Sequence, residues 1–300
     1  MWRSSSQTRI FSGGICVTRR GRRCHSTRRL GLGQEIPGAG GTLPPVKLCR
    51  FVLHAEPQTP RSGLYYEGRF YETDGEKAIG IHDSDSAGLL APIILAPSVR
   101  VLETQPRGEG GTDWGYQLGN PTRMVGSNSE IELPEEIEGL DVEARIALVV
   151  SGRGQYVRPE EAHEFILGYA PTLFFKLPEE AEHTAAHGLP VGAANDVFWA
   201  LGPVLTTPDE LIDNLGESLT DYSWQYRLRL NGETLSEAET LQGPYGEAMA
   251  LASRFGPLMP GEVFAGPALA HARGGGQSVR AGDTIELEVQ KLGRLVVRLV

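Results

Sequence analysis

The sequence has few cysteines and no long apolar run. Its 300 residues include three cysteines, Cys16, Cys24 and Cys49, at spacings that match neither a disulfide framework nor a zinc site. Cys49 stands alone in an apolar segment and is predicted to be an inert buried thiol. No apolar stretch approaches the roughly 20 residues that a membrane-spanning helix needs. A composition of 40% hydrophobic and 22% charged residues predicts a soluble globular protein with a sizeable core.

Lysine is also scarce, since the chain contains 24 arginines and 4 lysines. Positive charge is concentrated at the N-terminus, where residues 1–34 hold eight of the 28 basic residues and none of the 38 acidic ones. The remaining residues carry 20 basic and 38 acidic side chains, a formal charge of −18. An acidic body of this kind argues against a nucleic-acid surface, and we expect neither a nucleic-acid nor a membrane partner.

Residues 1–45 are predicted to lie outside the fold as a disordered leader and linker. Residues 1–34 are rich in Arg and Ser, which is the composition of a mitochondrial transit peptide. Read-through from an upstream start codon in GC-rich DNA would give the same composition, so both interpretations are open. A Gly/Pro-rich linker follows. We expect a cytoplasmic protein, or a mitochondrial one if the leader is a real transit peptide.

Alternation of apolar and polar residues predicts a fold rich in β-strands. We expect a small N-terminal β domain over residues 46–100 and a larger domain over residues 101–300. The N-terminal sheet is predicted from KLCRFVLH (47–54), a hairpin in SGLYYEGRFYET (62–73) and a closing strand in APIILAPSVRVLE (91–103). In the larger domain, helices are predicted in RPEEAHEFILGYA (158–170) and YGEAMALASRFG (245–256), and strands in DTIELEVQ (283–290) and GRLVVRLV (293–300).

The segment GLDVEARIALVV (139–150) is predicted to be a buried strand that begins with three charges. Alternate residues of a strand share a face, so Asp141, Glu143 and Arg145 point one way while Val142 and Ala144 point the other. Three charges on one face beside a core indicate either a sheet edge or a site.

Six segments, in the same order and spacing, resemble the C-terminal domain of the fumarylacetoacetate hydrolase family over residues 95–300. They are LDVEARIALVV, VRPEEAHEFILGYA, LGPVLTTPDEL, RLNGE, LMPGEVFAGPA and RAGDTIELEVQKLGRL. The resemblance implies a mixed β (α+β) fold, a β-roll with flanking helices beside a small N-terminal β domain, and commonly a homodimer. It also implies a divalent cation, usually magnesium, that holds a keto acid for carbon–carbon hydrolysis, decarboxylation, hydration or isomerisation. A hard cation held by carboxylates suits this chemistry because it can chelate the substrate carboxylate and stabilise a neighbouring enolate.

The metal ligands that the resemblance implies are mostly missing. The family pattern Asp-x-Glu-x-Glu corresponds here to Asp141, Glu143 and Arg145, so Glu143 is the only matched ligand position. Phe174 stands where a further ligand Asp is expected. We therefore expect no tightly bound cofactor and leave weak magnesium or manganese binding open.

Other groups of the family's site are missing as well. The chain has no histidine between residues 83 and 162, where the family carries its catalytic one. Ala193 and Ala194 replace a pocket lysine, and Gly266, Pro267 and Ala268 replace a Gly-Thr-Pro turn. The usual general base and two substrate contacts are thus absent.

The charged strand has two interpretations. Glu143 and Arg145 could form an internal ion pair in which the guanidinium takes the space and charge of the missing cation. Asp141, Glu143 and Arg145 would then bind a small carboxylate or keto acid, because a guanidinium offers a bidentate fork. The alternative is an exposed ion pair on a half-solvated strand.

Two functional hypotheses follow. In the first, the protein acts on or binds a small keto acid or related carboxylate through an altered, metal-poor site. In the second, it is a non-catalytic family member that serves as a carboxylate-binding or protein-interaction scaffold. A cleft lined by Arg145 beside an acid or a tyrosine would favour chemistry, whereas a cleft filled by Phe174 and Phe175 would favour binding or scaffolding.

A separate pair of histidines, His183 and His187, is spaced i, i+4 in EEAEHTAAH. On a helix this spacing can hold a transition metal, but a surface helix of Glu, Ala and His shows it by chance.

Overall fold

The computed structural model describes residues 47–75, 77–107, 111–190, 192–214, 222–272 and 278–300. The predicted leader and linker, residues 1–45, lie outside the described residues. The described strands are β1 Lys47–Leu53, β2 Glu56–Tyr66, β3 Arg69–Thr73, β4 Ala78–Asp83, β5 Ala87–Leu90, β6 Val99–Arg107, β7 Gly111–Gly119, β8 Met124–Val125, β9 Ser129–Ile131, β10 Asp141–Val150, β11 Ile166–Lys176, β12 Trp199–Leu201, β13 Leu205–Thr206, β14 Tyr222–Leu230, β15 Glu233–Gln242, β16 Val263–Ala265, β17 Ala270–Ala272, β18 Thr284–Val289 and β19 Gly293–Leu299.

Helices are few and short. The described α-helices are α1 Pro178–Ala186, α2 Gly192–Asn195 and α3 Tyr245–Ala252. Short 3-10 helices lie at Ser84–Ser86, Pro121–Arg123, Pro159–Phe165 and Pro208–Asn214. The expected mixed β fold with a few flanking helices is confirmed. In the described part of the chain, no helix is long and apolar enough to cross a membrane.

The strands form two sheets. The larger sheet has the order β4-β3-β2-β1-β13-β11-β10-β16-β6-β7, with β5, β8, β12 and β17 attached beside this path. The smaller sheet has the order β15-β14-β18-β19-β9. The main apolar core lies between them, because it is built from one face of β10 and β11 together with the inward residues of β14, β18 and β19.

The hairpin predicted in residues 62–73 is confirmed, and this hairpin and a second one both turn on residues with positive φ. Glu67 and Gly68, with φ of 45° and 76°, join β2 to β3, and Asn231 and Gly232, with φ of 53° and 83°, join β14 to β15. Two-residue turns with positive φ at both positions match the twist of the flanking strands.

Strand β10 is buried on both faces. It lies between β11 on one side and β16 and β17 on the other. One face packs into the main core through Val142, Ala144, Ile146, Leu148 and Val150. On the opposite face, Ala147 and Val149 join a second apolar cluster with Val99, Val101 and Phe174. Glu143 and Arg145 share this second face, so the charged start of the strand lies at the end of an apolar layer.

The helix predicted over residues 158–170 is wrong in its second half. Pro159–Phe165 forms a 3-10 helix, and from Ile166 the chain continues as β11, which pairs with β10 along its length. Both faces of β11 are buried, so its residues form a nearly continuous apolar run. Periodicity alone cannot separate such a run from a buried helix.

The strand predicted to close the N-terminal sheet is also wrong. Residues 91–98 form no strand, and β6, which begins at Val99, pairs with β7 and β16. Pro92 and Pro97 explain the interruption, because proline has no N–H to donate to a neighbouring strand.

The N-terminal strands continue into the larger sheet, since Lys47 of β1 lies opposite Thr206 of β13. The proposed domain boundary at residue 100 stays a prediction. Cys49 of β1 is buried, and burial raises the pKa of its thiol to about 12, which disfavours the reactive thiolate.

Candidate functional site

Glu143 and Arg145 form a buried ion pair at the start of β10. Arg145 is 0% exposed and Glu143 is 6% exposed. The Nε and Nη2 atoms of Arg145 donate to Oε2 of Glu143 at 3.0 and 2.7 Å. The internal ion pair predicted from the sequence is therefore present, and the exposed alternative is wrong.

Every N–H bond of the Arg145 guanidinium has an acceptor. Besides the two bonds to Glu143, Nη1 donates to the carbonyl oxygens of Leu102 at 2.6 Å and Gly266 at 2.8 Å. Nη2 also donates to Oε1 of Glu103 at 2.7 Å. A guanidinium has five N–H donors, so this set uses all of them. The side chain is fixed in one position and has no donor left for a ligand.

Lys176 is a second cation on Glu143. Its Nζ donates to Oε1 of Glu143 at 2.7 Å and lies 3.8 Å from Oε1 of Glu103. Lys176 lies opposite Asp141, and Phe174 lies opposite Glu143, in the pairing of β10 with β11. Directly opposed residues of paired strands share a face, so all four side chains lie on the same side of the sheet. Unlike Arg145, Lys176 is partly accessible, with 21% of its side chain exposed.

The electrostatics of Glu143 follow from this arrangement. Burial acts to raise the pKa of its carboxyl, but the charges of Arg145 and Lys176 together outweigh burial and lower the pKa below its usual value. Glu143 is therefore a carboxylate held between two cations.

The arrangement does not fit a divalent cation. Both oxygens of Glu143 already accept hydrogen bonds from cationic groups. Arg145 and Lys176 already offset the negative charge of Glu103 and Glu143, which weakens the attraction for another cation. Phe174, at the position of an expected ligand, has no oxygen to offer. Within the described ranges, no group of three or more His, Cys, Asp or Glu residues is placed to hold a metal.

A chain of polar contacts connects this cluster to a neighbouring hairpin and helix. Gln117 of β7 donates to Glu103 at 3.4 Å, and Asn195 of α2 donates to Gln117 at 2.7 Å. Glu103 has 44% of its side chain exposed. The network thus reaches solvent at Glu103 and at Lys176, with Arg145 in its buried centre.

Phe174 fills the space beside Glu143. It is 7% exposed, and its ring stacks on Trp199 with 5.4 Å between the ring centroids. Phe175 belongs to the opposite face, where it packs on Phe198 in the main core. Of the two aromatic residues considered as cleft-filling, only Phe174 lies on the face of the charged cluster.

Histidine also lies near the cluster, in a place that sequence reasoning missed. His271 of β17 is exposed and lies directly opposite Glu143, so the two side chains share a face. His183 of α1 and His187, which directly follows this helix, are both exposed. Their rings are 4.5 Å apart, and Nδ1 of His187 bonds to the carbonyl oxygen of His183.

Known proteins resemble this chain in sequence. The family model of the fumarylacetoacetate (FAA) hydrolase C-terminal domain matches residues 103–300. The chain is 30% identical over 179 residues to the mitochondrial oxaloacetate tautomerase fahd2 of Xenopus laevis, which covers 57% of this chain and 53% of that protein. It is 26% identical over 184 residues to the mitochondrial oxaloacetate tautomerase FAHD2A of Bos taurus, covering 59% and 56% of the two chains. The chain thus spans about half the length of the curated relatives it matches.

Solved structures share the fold. The 5-carboxymethyl-2-hydroxymuconate delta-isomerase of Mycobacterium smegmatis superposes with a TM-score of 0.68 at 22% identity, over 85% of this chain and 98% of that one. The maleylpyruvate hydrolase of Sphingobium sp. SYK-6, solved in complex with a manganese(II) ion and pyruvate, superposes with a TM-score of 0.64 at 18% identity, over 85% and 98% of the chains. At these identities the likeness shows the fold alone, whereas the family model covers well over half of the sequence. The chain belongs to the fumarylacetoacetate hydrolase family.

Proposed function

We propose that the protein binds a small keto acid or a related carboxylate at the Lys176 end of the charged cluster. Lys176 supports this proposal because its ammonium is partly exposed and donates to Oε1 of Glu143 at 2.7 Å, which holds it in place. An ammonium has three N–H donors, so bonding to Glu143 leaves donors for a carboxylate or keto oxygen. Two relatives are named oxaloacetate tautomerases, and one structural neighbour was solved with pyruvate, which supports a keto acid as the ligand class.

The other charged residues position this ammonium. Arg145 is buried and its donors are used, so in this proposal it holds Glu143 while Glu143 holds Lys176. Asp141 lies opposite Lys176 in the strand pairing. The assignment of Asp141, Glu143 and Arg145 to the substrate site stays a prediction. Since the N–H donors of Arg145 are all used, the residue that we propose to contact the ligand is Lys176.

Calorimetric titration with pyruvate and with oxaloacetate, in buffer containing a chelator, tests the proposal. Lys176→Met should weaken binding at least about tenfold, because it removes the positive charge that faces the ligand. Lys77→Met is the matched control, since Lys77 is exposed in the bend just before β4. No heat of binding with the wild type would contradict the proposal and favour the scaffold hypothesis.

A second candidate function, keto–enol isomerisation, is favoured by the position of His271 opposite Glu143. Enolisation needs a group that moves a proton to or from carbon, and an imidazole nitrogen can accept or donate a proton. The decay of oxaloacetate enol absorbance should be faster with the wild type than in buffer. His271→Gln should remove the acceleration, whereas His183→Gln, on the exposed helix α1, should not. A wild-type rate equal to the buffer rate would exclude this candidate.

We also propose a mitochondrial location. Residues 1–34 have transit-peptide composition, and the Xenopus and Bos relatives are named as mitochondrial. Residues 1–45 fused to a fluorescent protein should direct it to mitochondria. A uniformly cytoplasmic signal would contradict the proposal.

A further inference from the structure

We infer that Arg145 is a resident cation, a guanidinium that fills an oxygen-lined hollow suited to a hard divalent metal ion. The protein's own side chain thereby takes the place of a bound metal. Lys176 supplies a second positive charge next to Glu143, so the two side chains together replace the charge of a divalent ion.

Four oxygen atoms surround the guanidinium at short distances. They are the carbonyl oxygens of Leu102 at 2.6 Å and Gly266 at 2.8 Å, and carboxylate oxygens of Glu103 and Glu143, each at 2.7 Å. Carbonyl and carboxylate oxygens are the ligands that magnesium, calcium and manganese prefer. The hollow therefore has the donor set of a hard-cation site, with a guanidinium inside it.

The fold brings these oxygens together from separate strands. Glu143 is on β10, Leu102 and Glu103 are on β6, and Gly266 directly follows β16, which pairs with both of those strands. The strand pairings set the positions of the two carbonyl oxygens and of the backbone that carries both carboxylates, so the hollow should persist when the side chain of Arg145 is shortened.

A metal ion cannot enter while Arg145 is in place. An incoming divalent ion would have to displace a fully buried group with five hydrogen bonds, or approach against two positive charges in contact with Glu143. Phe174 adds no ligand. The maleylpyruvate hydrolase of Sphingobium sp. SYK-6 shares the fold and was solved with manganese(II), so the fold itself does not prevent metal binding.

Removal of the resident cation is the direct test. Arg145→Ala empties the hollow and leaves all four oxygens, so it should bind Mn²⁺ at least about tenfold more tightly than the wild type in a calorimetric titration. Mn²⁺ should also raise the melting temperature of this variant and leave that of the wild type unchanged. Arg145→Glu adds a carboxylate to the hollow and should bind more tightly still. The titration needs no organic ligand, so its result does not depend on the keto-acid proposal.

Two controls separate a formed site from a general effect of charge. Glu143→Gln combined with Arg145→Ala should lose the gained affinity, because it removes a carboxylate of the hollow. Arg158→Ala removes an exposed arginine that is paired with Glu161, and should behave as the wild type does.

The inference is overturned by tight Mn²⁺ binding to the wild type, or by equal affinities of the wild type and both Arg145 variants. If the variants fold only in the presence of Mn²⁺, that dependence supports the inference. Failure of both variants to fold with or without Mn²⁺ counts against a cation-binding hollow and also overturns it.

Discussion

Arg145 and Glu143 are two residues apart on one buried strand, and two nitrogen atoms of the guanidinium bond to a single carboxylate oxygen at 3.0 and 2.7 Å. Both side chains lie at the end of an apolar layer, shielded from water. In such surroundings a paired charge is tolerated, but a charge that loses its partner is strongly destabilising.

Loss of one partner should therefore cost more than loss of both. Arg145→Met should lower the free energy of unfolding by about 3–5 kcal/mol, because Glu143 keeps a buried charge without its main partner. Glu143→Leu combined with Arg145→Met should be less destabilised than Arg145→Met alone. The free energy of unfolding of both variants is measured by urea unfolding. Arg158→Ala serves as the control, and its free energy of unfolding should be close to that of the wild type. A double variant less stable than the single one would contradict this.

Stability should depend on pH through Glu143. Burial alone would raise the pKa of the Glu143 carboxyl. The charges of Arg145 and Lys176 outweigh burial, so the pKa in the folded protein is lowered. Because the pKa is lower in the folded protein than in the unfolded chain, the carboxylate contributes its full stabilisation above the unfolded-state pKa. This contribution is lost as the pH falls through the folded-state pKa. Glu143→Gln should therefore be less stable than the wild type near neutral pH, with a difference that shrinks at acidic pH. A difference that stays constant throughout acid titration would contradict this assignment.

The sequence predicts part of this site and misses the rest for a physical reason. A two-residue period in GLDVEARIALVV places Asp141, Glu143 and Arg145 on one face, and their pairing is local. The other groups on Arg145 come from distant parts of the chain, with Glu103 42 residues away and Gly266 121 residues away. A single sequence does not show which distant residues come into contact, because those contacts depend on the order of strands in the sheet.

Lys176 was missed because of the error in the preceding segment. Residues 166–175 are mostly apolar on both faces, so they lack the alternation that identifies a half-buried strand. If β11 is treated as a strand, the two-residue period puts Phe174 and Lys176 on the same face. The pairing of β11 with β10 then places Lys176 beside the charged residues of β10. The turns and hairpins were predictable because Gly and Asn at positive φ are local signals.

Residues 1–45 should contribute little to the stability of the body. The segment has no apolar periodicity, and the first described strand begins at Lys47. Deletion of residues 1–45 should leave the melting temperature nearly unchanged in differential scanning calorimetry. A large decrease would show that the segment packs against the body.

The family resemblance predicts a homodimer formed through the C-terminal domain. Multi-angle light scattering at micromolar concentration should give twice the chain mass of 32.5 kDa. A monomeric mass across the accessible concentration range would contradict this prediction.

We infer that the side chain of Arg145 occupies the hollow that would otherwise hold a metal ion. A crystal structure of the wild-type protein grown with millimolar manganese, with anomalous data collected at the manganese edge, tests it most directly. We expect guanidinium density of Arg145 among Leu102, Glu103, Glu143 and Gly266, with no anomalous peak at Glu143. An anomalous peak bound to Glu143, with Arg145 displaced from the hollow, would contradict it.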